Sequence, residues 1–392
     1  MTQTAEMNLI TSVETYVMNV SAKTNWVFVA VGDSSGRIGW GEASLNGWEP
    51  LLLAATKHMS PDWLGMSLQD AASSLRVSSR LPGGLIANAV ISSVAQGVAS
   101  LMVMQEKTTP SELIGSRLRD QIKVYANINR ATKDRTPVGF VNTALRARDQ
   151  GFSAFKAAPF DGLTASSCNS LEGKKKIHHG IDVINALRDA LGSNALLMVD
   201  CHWRFDEAGA LYALKELEAA KLHWYECPIA ESPKNWPATR RVRAAANAQG
   251  VLLAAAESQV GVEDFQTLFD EALYDVVMPD IKYCGGPWEM LRIAQHAAQS
   301  GVQFSPHNPS GPVSTWQSLQ VAAAAPCCSM LELQFDESHL YDELQAETVL
   351  RPENGALAVS KRPGFALGLS PAMLIKHPYK AVPPGAETIL NR

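Results

Sequence analysis

The sequence predicts a closed parallel β/α barrel joined to a separate N-terminal region, and three observations lead there. Eight strand-length apolar runs recur from Val124 onward, in "IKVYANINR", "FSAFKAAP", "ALLMVD", "LHWYECP", "VLLAAAE", "YDVVMPD", "VQFSPH" and "SMLELQ". Each but the last is followed by a stretch patterned as a helix, as in "EAGALYALKELEAA" and "WEMLRIAQHAAQSG". Eight β-α units in tandem are the pattern of a barrel with helices outside. The competing fold, an open doubly wound sheet, lacks here the Gly-rich fingerprint that follows its first strand.

The N-terminal third has a different rhythm. "NWVFVAVGDSSGRIGWGEAS" offers two β-rich runs around the turn-forming "GDSSGR", which predicts a hairpin. Its glycines are not a phosphate loop, since no G-K-[ST] follows and no strand-to-helix pattern surrounds them. From Pro50 to Glu106 the Ala-, Leu- and Ser-rich sequence has helical periodicity, interrupted by "LPGG" at 81–84. The run "GKKKIHHG" at 173–180 is expected to be a solvated loop rather than a metal site built on His178 and His179.

Composition excludes several classes of function. The 392 residues carry a net charge of -5, so there is no basic footprint for nucleic acid. No uninterrupted apolar run approaches membrane-spanning length, and "MTQTAEMNLI" has no signal-peptide pattern. Of the six cysteines only Cys327 and Cys328 are neighbours, and none forms C-x-x-C. Reduced thiols and a cytoplasmic location are therefore expected, with neither a disulfide framework nor a zinc site.

The chemistry gathers at the strand ends. The third, fourth and fifth barrel runs end in Asp200, Glu226 and Glu257. A parallel barrel brings these ends to one rim, where the three carboxylates would repel one another without a cation. Hard oxygen donors favour Mg2+ over zinc. The sixth and seventh runs bring Asp280 and His307, a carboxylate beside an imidazole, which is the arrangement of a general base. The second run adds Lys156, whose buried charge requires an anionic partner, and the eighth adds Glu332. In "LLMVDCHWRFD", strand alternation would put His202 on the same side as Asp200.

The acid order Asp200, Glu226, Glu257, together with "PDIKYCGG", "PHNPSGP" and "GRIGWGEAS", resembles the enolase superfamily and its mandelate racemase-like branch over nearly the whole chain. The resemblance implies a modified (β/α)7β barrel at 123–335. An α+β capping domain would be formed by 1–122 and completed by 336–392. It implies Mg2+ on Asp200, Glu226 and Glu257, an Asp280–His307 base dyad, and Glu332 on the substrate carboxylate or enolate. The branch commonly carries Lys-x-Lys on the second strand, whereas this chain has Lys156-Ala157-Ala158. That departure weakens racemisation, which needs acid-base groups on both faces of the carbon. Lys156, matching the first lysine, would neutralise the bound carboxylate.

Asp-x-His on the third strand resembles the sugar-acid dehydratases of the branch, the galactonate dehydratases among them, in which that histidine protonates the departing hydroxyl. The expected activity is thus a Mg-dependent lyase that dehydrates a small hydroxy-carboxylate to a 2-keto-3-deoxy acid, in a homo-oligomer. A racemase or epimerase using the same enolate is one alternative, and a non-catalytic sugar-acid-binding protein is another. His202 could also serve only to pack behind Asp200.

Overall fold

The computed structural model describes residues 8–345, 349–361 and 369–381. It begins with the antiparallel sheet β1 (Ile10–Asn19), β2 (Asn25–Asp33) and β3 (Ile38–Glu42). Asp33 fixes the β2–β3 turn: its carboxylate accepts from the Ser35 and Arg37 backbones at 3.0 and 2.9 Å and pairs with the Arg37 guanidinium at 2.6 Å. Helices α1 (Glu49–Met59), α2 (Leu68–Ser74), α3 (Gly84–Glu106) and α4 (Pro110–Ile114) follow. By length and composition α3 could cross a bilayer, but every residue from Ala87 to Val103 is buried inside the protein. A helix buried on all sides is here a core helix.

The glycines of "GRIGWGE" belong to this packing. A β-carbon on Gly41 would lie 1.9 Å from the Ser93 carbonyl oxygen, and one on Gly39 would lie 2.0 Å from that of Gly97. Only glycine lets β3 approach the α3 backbone so closely.

The barrel alternates β4 (Gln121–Asn127), α5 (Pro137–Asp149), β5 (Ala154–Ala157), α6 (Leu171–Leu191), β6 (Leu196–Asp200), α7 (Glu207–Glu216), β7 (Trp224–Glu226), α8 (Trp236–Ala248), β8 (Leu252–Ala255), α9 (Gly261–Asp270), β9 (Val276–Val277), α10 (Gly286–Gln299), β10 (Gln303–Phe304), α11 (Pro312–Ala324) and β11 (Leu331–Gln334). The strands are parallel in the order β10-β9-β8-β7-β6-β5-β4-β11. A parallel bridge from Phe304 to Cys328 brings the two ends of this curled sheet together. After α12 (Leu340–Glu343), β12 (Ala356–Ala358) pairs antiparallel with β4. Beyond α13 (Pro371–Leu374), His377 accepts a hydrogen bond from the Asn19 backbone of β1 at 2.8 Å.

The strands sort their side chains by alternation. Val124, Phe155, Leu197, Val199, Tyr225, Leu253 and Leu331 face the helices in one large core. Tyr125, Ala154, Met198, Trp224, Ala254, Val276, Met278 and Met330 form a second cluster inside the barrel. The interior is therefore packed, and chemistry is confined to its rim.

One sequence expectation fails here. "GKKKIHHG" is not a loop but the first turns of α6, whose N-cap Ser170 accepts from the Gly173 backbone. Gly173, Ile177 and Gly180 are buried, at helical spacing, while Lys174, Lys175, His178 and His179 are exposed. The glycines allow close contact, since a β-carbon on Gly173 would meet the Ser167 carbonyl at 1.9 Å and one on Gly180 the Phe160 ring at 2.3 Å.

Candidate active site

The polar residues stand two positions beyond the apolar barrel layer. Asn127 follows Tyr125, Lys156 follows Ala154, and Asp200 follows Met198. Glu226 likewise follows Trp224, Asp280 follows Met278, and Glu332 follows Met330. Because side chains alternate, each is the next inward residue toward the C-terminal rim. At β8 the step is three residues, from Ala254 to Glu257, because Ala256 takes a positive φ of 78°. Lys156, Asp200, Glu226, Glu257, Asp280, His307 and Glu332 are all buried.

One set of contacts centres on Lys156. Its Nζ lies 2.5 Å from Glu226 Oε1 and 2.9 Å from Glu332 Oε1. Trp224 Nε1 donates to the other Glu226 oxygen at 2.9 Å. Glu332 also accepts from Asn127 Nδ2 at 2.8 Å and from the Asn308 backbone at 2.9 Å. Burial works against the Lys156 charge, but Glu226 and Glu332 outweigh it and hold the lysine firmly protonated. For Glu332, burial is likewise outweighed, by Lys156 and His307, so its carboxyl stays below the usual range. Glu226 goes the other way. Burial pushes its carboxyl well up despite Lys156, and the charges of Asp200, Glu332 and Glu257 add to the rise.

Asp200 is in register with Glu226 across β6 and β7. His202 Nε2 stands 2.8 Å from Asp200 Oδ2, and the His202 backbone donates to Oδ1 at 2.9 Å. Burial opposes the Asp200 charge, yet the charge and hydrogen bonds of His202, aided by Lys156, hold it well below the usual carboxylate range. The pleat does not make this contact, contrary to the sequence expectation. β6 ends at Asp200, and His202 and Trp203 have positive φ of 47° and 56°. The tight left-handed turn brings the imidazole back onto the carboxylate.

The other pair is His307 and Asp280, with Nδ1 2.8 Å from Oδ2. The opposite ring nitrogen, Nε2, is 3.4 Å from Glu257 Oε2. Burial opposes the Asp280 charge, but Lys282 and His307 keep its carboxyl low.

Sequence reasoning missed several residues here. Asn127 was legible in principle, because it is in register with Lys156. Trp224 follows from the same alternation, two residues before Glu226. Glu231 gave no such signal. It is the acceptor for Trp203 Nε1 at 2.8 Å, the Ala256 backbone at 3.2 Å and Gln259 Nε2 at 3.3 Å, and so ties together the loops after β6, β7 and β8.

The donor chemistry of Asp200, Glu226 and Glu257 fits a hard divalent cation, and the Glu226 carboxyl, pushed up first by burial and then by its acidic neighbours, is one that a bound cation would return to its charged form. As the side chains are placed, no three acidic, histidine or cysteine groups among the described residues lie close enough together to hold an ion. Lys156, Trp224 and His202 engage the oxygens of Glu226 and Asp200 instead.

Comparison with known proteins identifies the lineage of the chain. A family profile described as enolase C-terminal domain-like matches residues 139–373. The chain belongs to that family. Among its relatives, a D-xylonate dehydratase of Haloferax volcanii is 27% identical over 92% of this chain and 86% of its own length. A D-gluconate dehydratase of Thermoproteus tenax is 24% identical, covering 91% and 70%. A D-galactonate dehydratase of Variovorax paradoxus is 27% identical, covering 76% and 75%. The fold is shared with a mandelate racemase/muconate lactonizing enzyme-like protein of Rubrobacter xylanophilus (TM-score 0.84, 23% identity, 96% of this chain and 99% of that one). It is shared equally with a mandelate racemase/muconate lactonizing enzyme of Jannaschia (TM-score 0.82, 22% identity, 95% and 98%).

Proposed function

We propose that this chain is a Mg2+-dependent dehydratase of a sugar acid, turning an aldonate- or aldarate-type hydroxy acid into a 2-keto-3-deoxy acid. The observation that carries the reading is the setting of His307. Asp280 holds one ring nitrogen, and the other faces Glu257. A carboxylate on Nδ1 fixes the tautomer that leaves Nε2 free to accept a proton. The sugar-acid dehydratases among the relatives support the same reaction class.

Asp200, Glu226 and Glu257 would hold the cation. When bound, it would supply positive charge beside the substrate carboxylate and lower the barrier to α-proton loss. His307 takes that proton, and Asp280 steadies the imidazolium that results. Lys156, kept charged by its two glutamates, faces the carboxylate oxygens, where negative charge grows, and Glu332 holds its ammonium there. His202, resting on Asp200, gives its proton to the departing 3-hydroxyl. The C3–O bond breaks, water leaves, and the enol tautomerises to the keto acid.

Incubating a panel of acid sugars with the protein and Mg2+ tests this, the expected product being a 2-keto-3-deoxy acid from at least one member. Fast interconversion of 2-epimers without dehydration would establish the epimerase instead, with His202 or Lys156 on the second face.

A further inference from the structure

We propose that Glu42 and Lys282 are positioning residues that make the geometry of the His307–Asp280 pair depend on how the N-terminal sheet docks on the barrel. Asp280 Oδ2 receives two donors, His307 Nδ1 at 2.8 Å and Lys282 Nζ at 2.9 Å. Its other oxygen accepts from the Lys282 backbone at 2.8 Å. Lys282 Nζ also donates to Ser310 Oγ, at the entrance to α11. In the next residue, the Gly311 backbone donates to Glu42 Oε1 at 2.8 Å, and the Ser314 backbone donates to Oε2 at 3.0 Å. A β-carbon at Gly311 would lie 2.9 Å from Glu42 Oε2, so any larger residue would have to displace the Glu42 carboxylate. Gln96 of α3 closes the same joint, bonding the Glu42 backbone at 3.0 and 3.1 Å and the Ile281 carbonyl at 3.2 Å.

These contacts form one chain from the N-terminal sheet to the imidazole. Glu42 is wholly buried and Lys282 is 4% exposed. Burying such charges is costly, and burial pushes the Glu42 carboxyl up, with Lys282 opposing. The return is geometric. Both Asp280 oxygens are fixed, so the plane of the His307 ring is fixed with them. A base displaced by a fraction of an ångström loses much of its rate.

The inference rests on the proposed reading only in taking His307 as the base. Its test compares Lys282→Met, Glu42→Gln and their double variant in the full chain with Mg2+, with Lys282→Arg as the conservative control. The His307 Nδ1–H resonance in 15N-histidine-labelled protein reads the geometry without any substrate. Lys282→Met is expected to shift or broaden that resonance and to lower kcat about tenfold or more, while KM and Mg2+ affinity stay within about twofold. Glu42→Gln should act in the same direction but more weakly, Lys282→Arg should recover part of kcat, and the double variant should be no slower than Lys282→Met alone. Gly311→Ala, which pushes the loop off Glu42, gives the same comparison should Glu42→Gln not fold. An unmoved resonance in Lys282→Met, or multiplicative losses in the double variant, would overturn the proposal. Wild-type protein that turned over no acid sugar would defeat the dehydratase reading alone, and the resonance would still decide the positioning.

Discussion

Lys156 holds its ammonium 2.5 Å from Glu226 in the barrel interior, and the partner carboxylate is nevertheless pushed toward its neutral form. Burial is the main cause, and the charges of Asp200, Glu332 and Glu257 add to it. Removing one partner of a buried pair costs about 3–5 kcal/mol, because the remaining charge is left uncompensated. Lys156→Met should therefore destabilise the metal-free protein by that order in urea unfolding. Mg2+ should restore more stability to the variant than it adds to the wild type, since the ion takes over the neutralisation. Equal gains in both proteins would place the ion away from these acids.

Metal removal gives a second expectation. Chelation should end turnover and Mg2+ should restore it. The ion should also raise the unfolding free energy of the wild type by about 2.7 kcal/mol at a free concentration of 100 Kd. Glu226→Gln should shift this stabilisation to higher Mg2+ concentrations. Full turnover in chelated protein would refute all three ligand assignments.

Asp33 makes a pH-dependent prediction away from the site. Burial opposes its charge, but the hydrogen bonds from Ser35 and Arg37 and the Arg37 charge outweigh it, so its carboxyl titrates below the usual value. A lowered folded-state pKa means that the stabilisation is present above the unfolded pKa of about 3.9 and is lost as pH falls through the folded value. Asp33→Asn should cost about 1–2 kcal/mol at pH 7, the scale of a charge-assisted hydrogen bond partly open to solvent. The gap should narrow as the pH is lowered toward 3. A gap independent of pH would show that the turn depends on shape alone.

What could be read from the sequence was what repeats locally. Strand-length runs ending in acids located the barrel and its rim, because alternation and apolar burial act over a few residues. The first turns of α6 were misread because over 173–180 three lysines and two histidines hide a buried stripe of only Gly173, Ile177 and Gly180. His202 was expected on the side of Asp200 for the wrong reason, since its placement depends on a left-handed turn at residues with no glycine to announce it. Glu42 was invisible as part of the site because its partner Gly311 is 269 residues away. Lys282, two residues beyond Asp280, carried a signal in that spacing alone.

The two histidines can be separated by experiment. His307 is bonded through Nδ1 to Asp280, whereas His202 rests on Asp200 at a different strand end, so the two can serve different substrate carbons. If His307 removes the α-proton, His307→Asn should stop both dehydration and exchange of the substrate α-hydrogen with solvent deuterium. If His202 protonates only the departing hydroxyl, His202→Asn should slow dehydration by roughly 10²-fold or more, the scale of a lost general acid. Exchange should then persist, and it should be easier to see, because the deprotonated substrate returns to its starting form instead of losing water. Deuterium incorporation without keto-acid formation in His202→Asn, and neither in His307→Asn, is the expected pair of outcomes. Near-normal dehydration by His202→Asn would mean that His307 carries both transfers and that His202 only packs against Asp200.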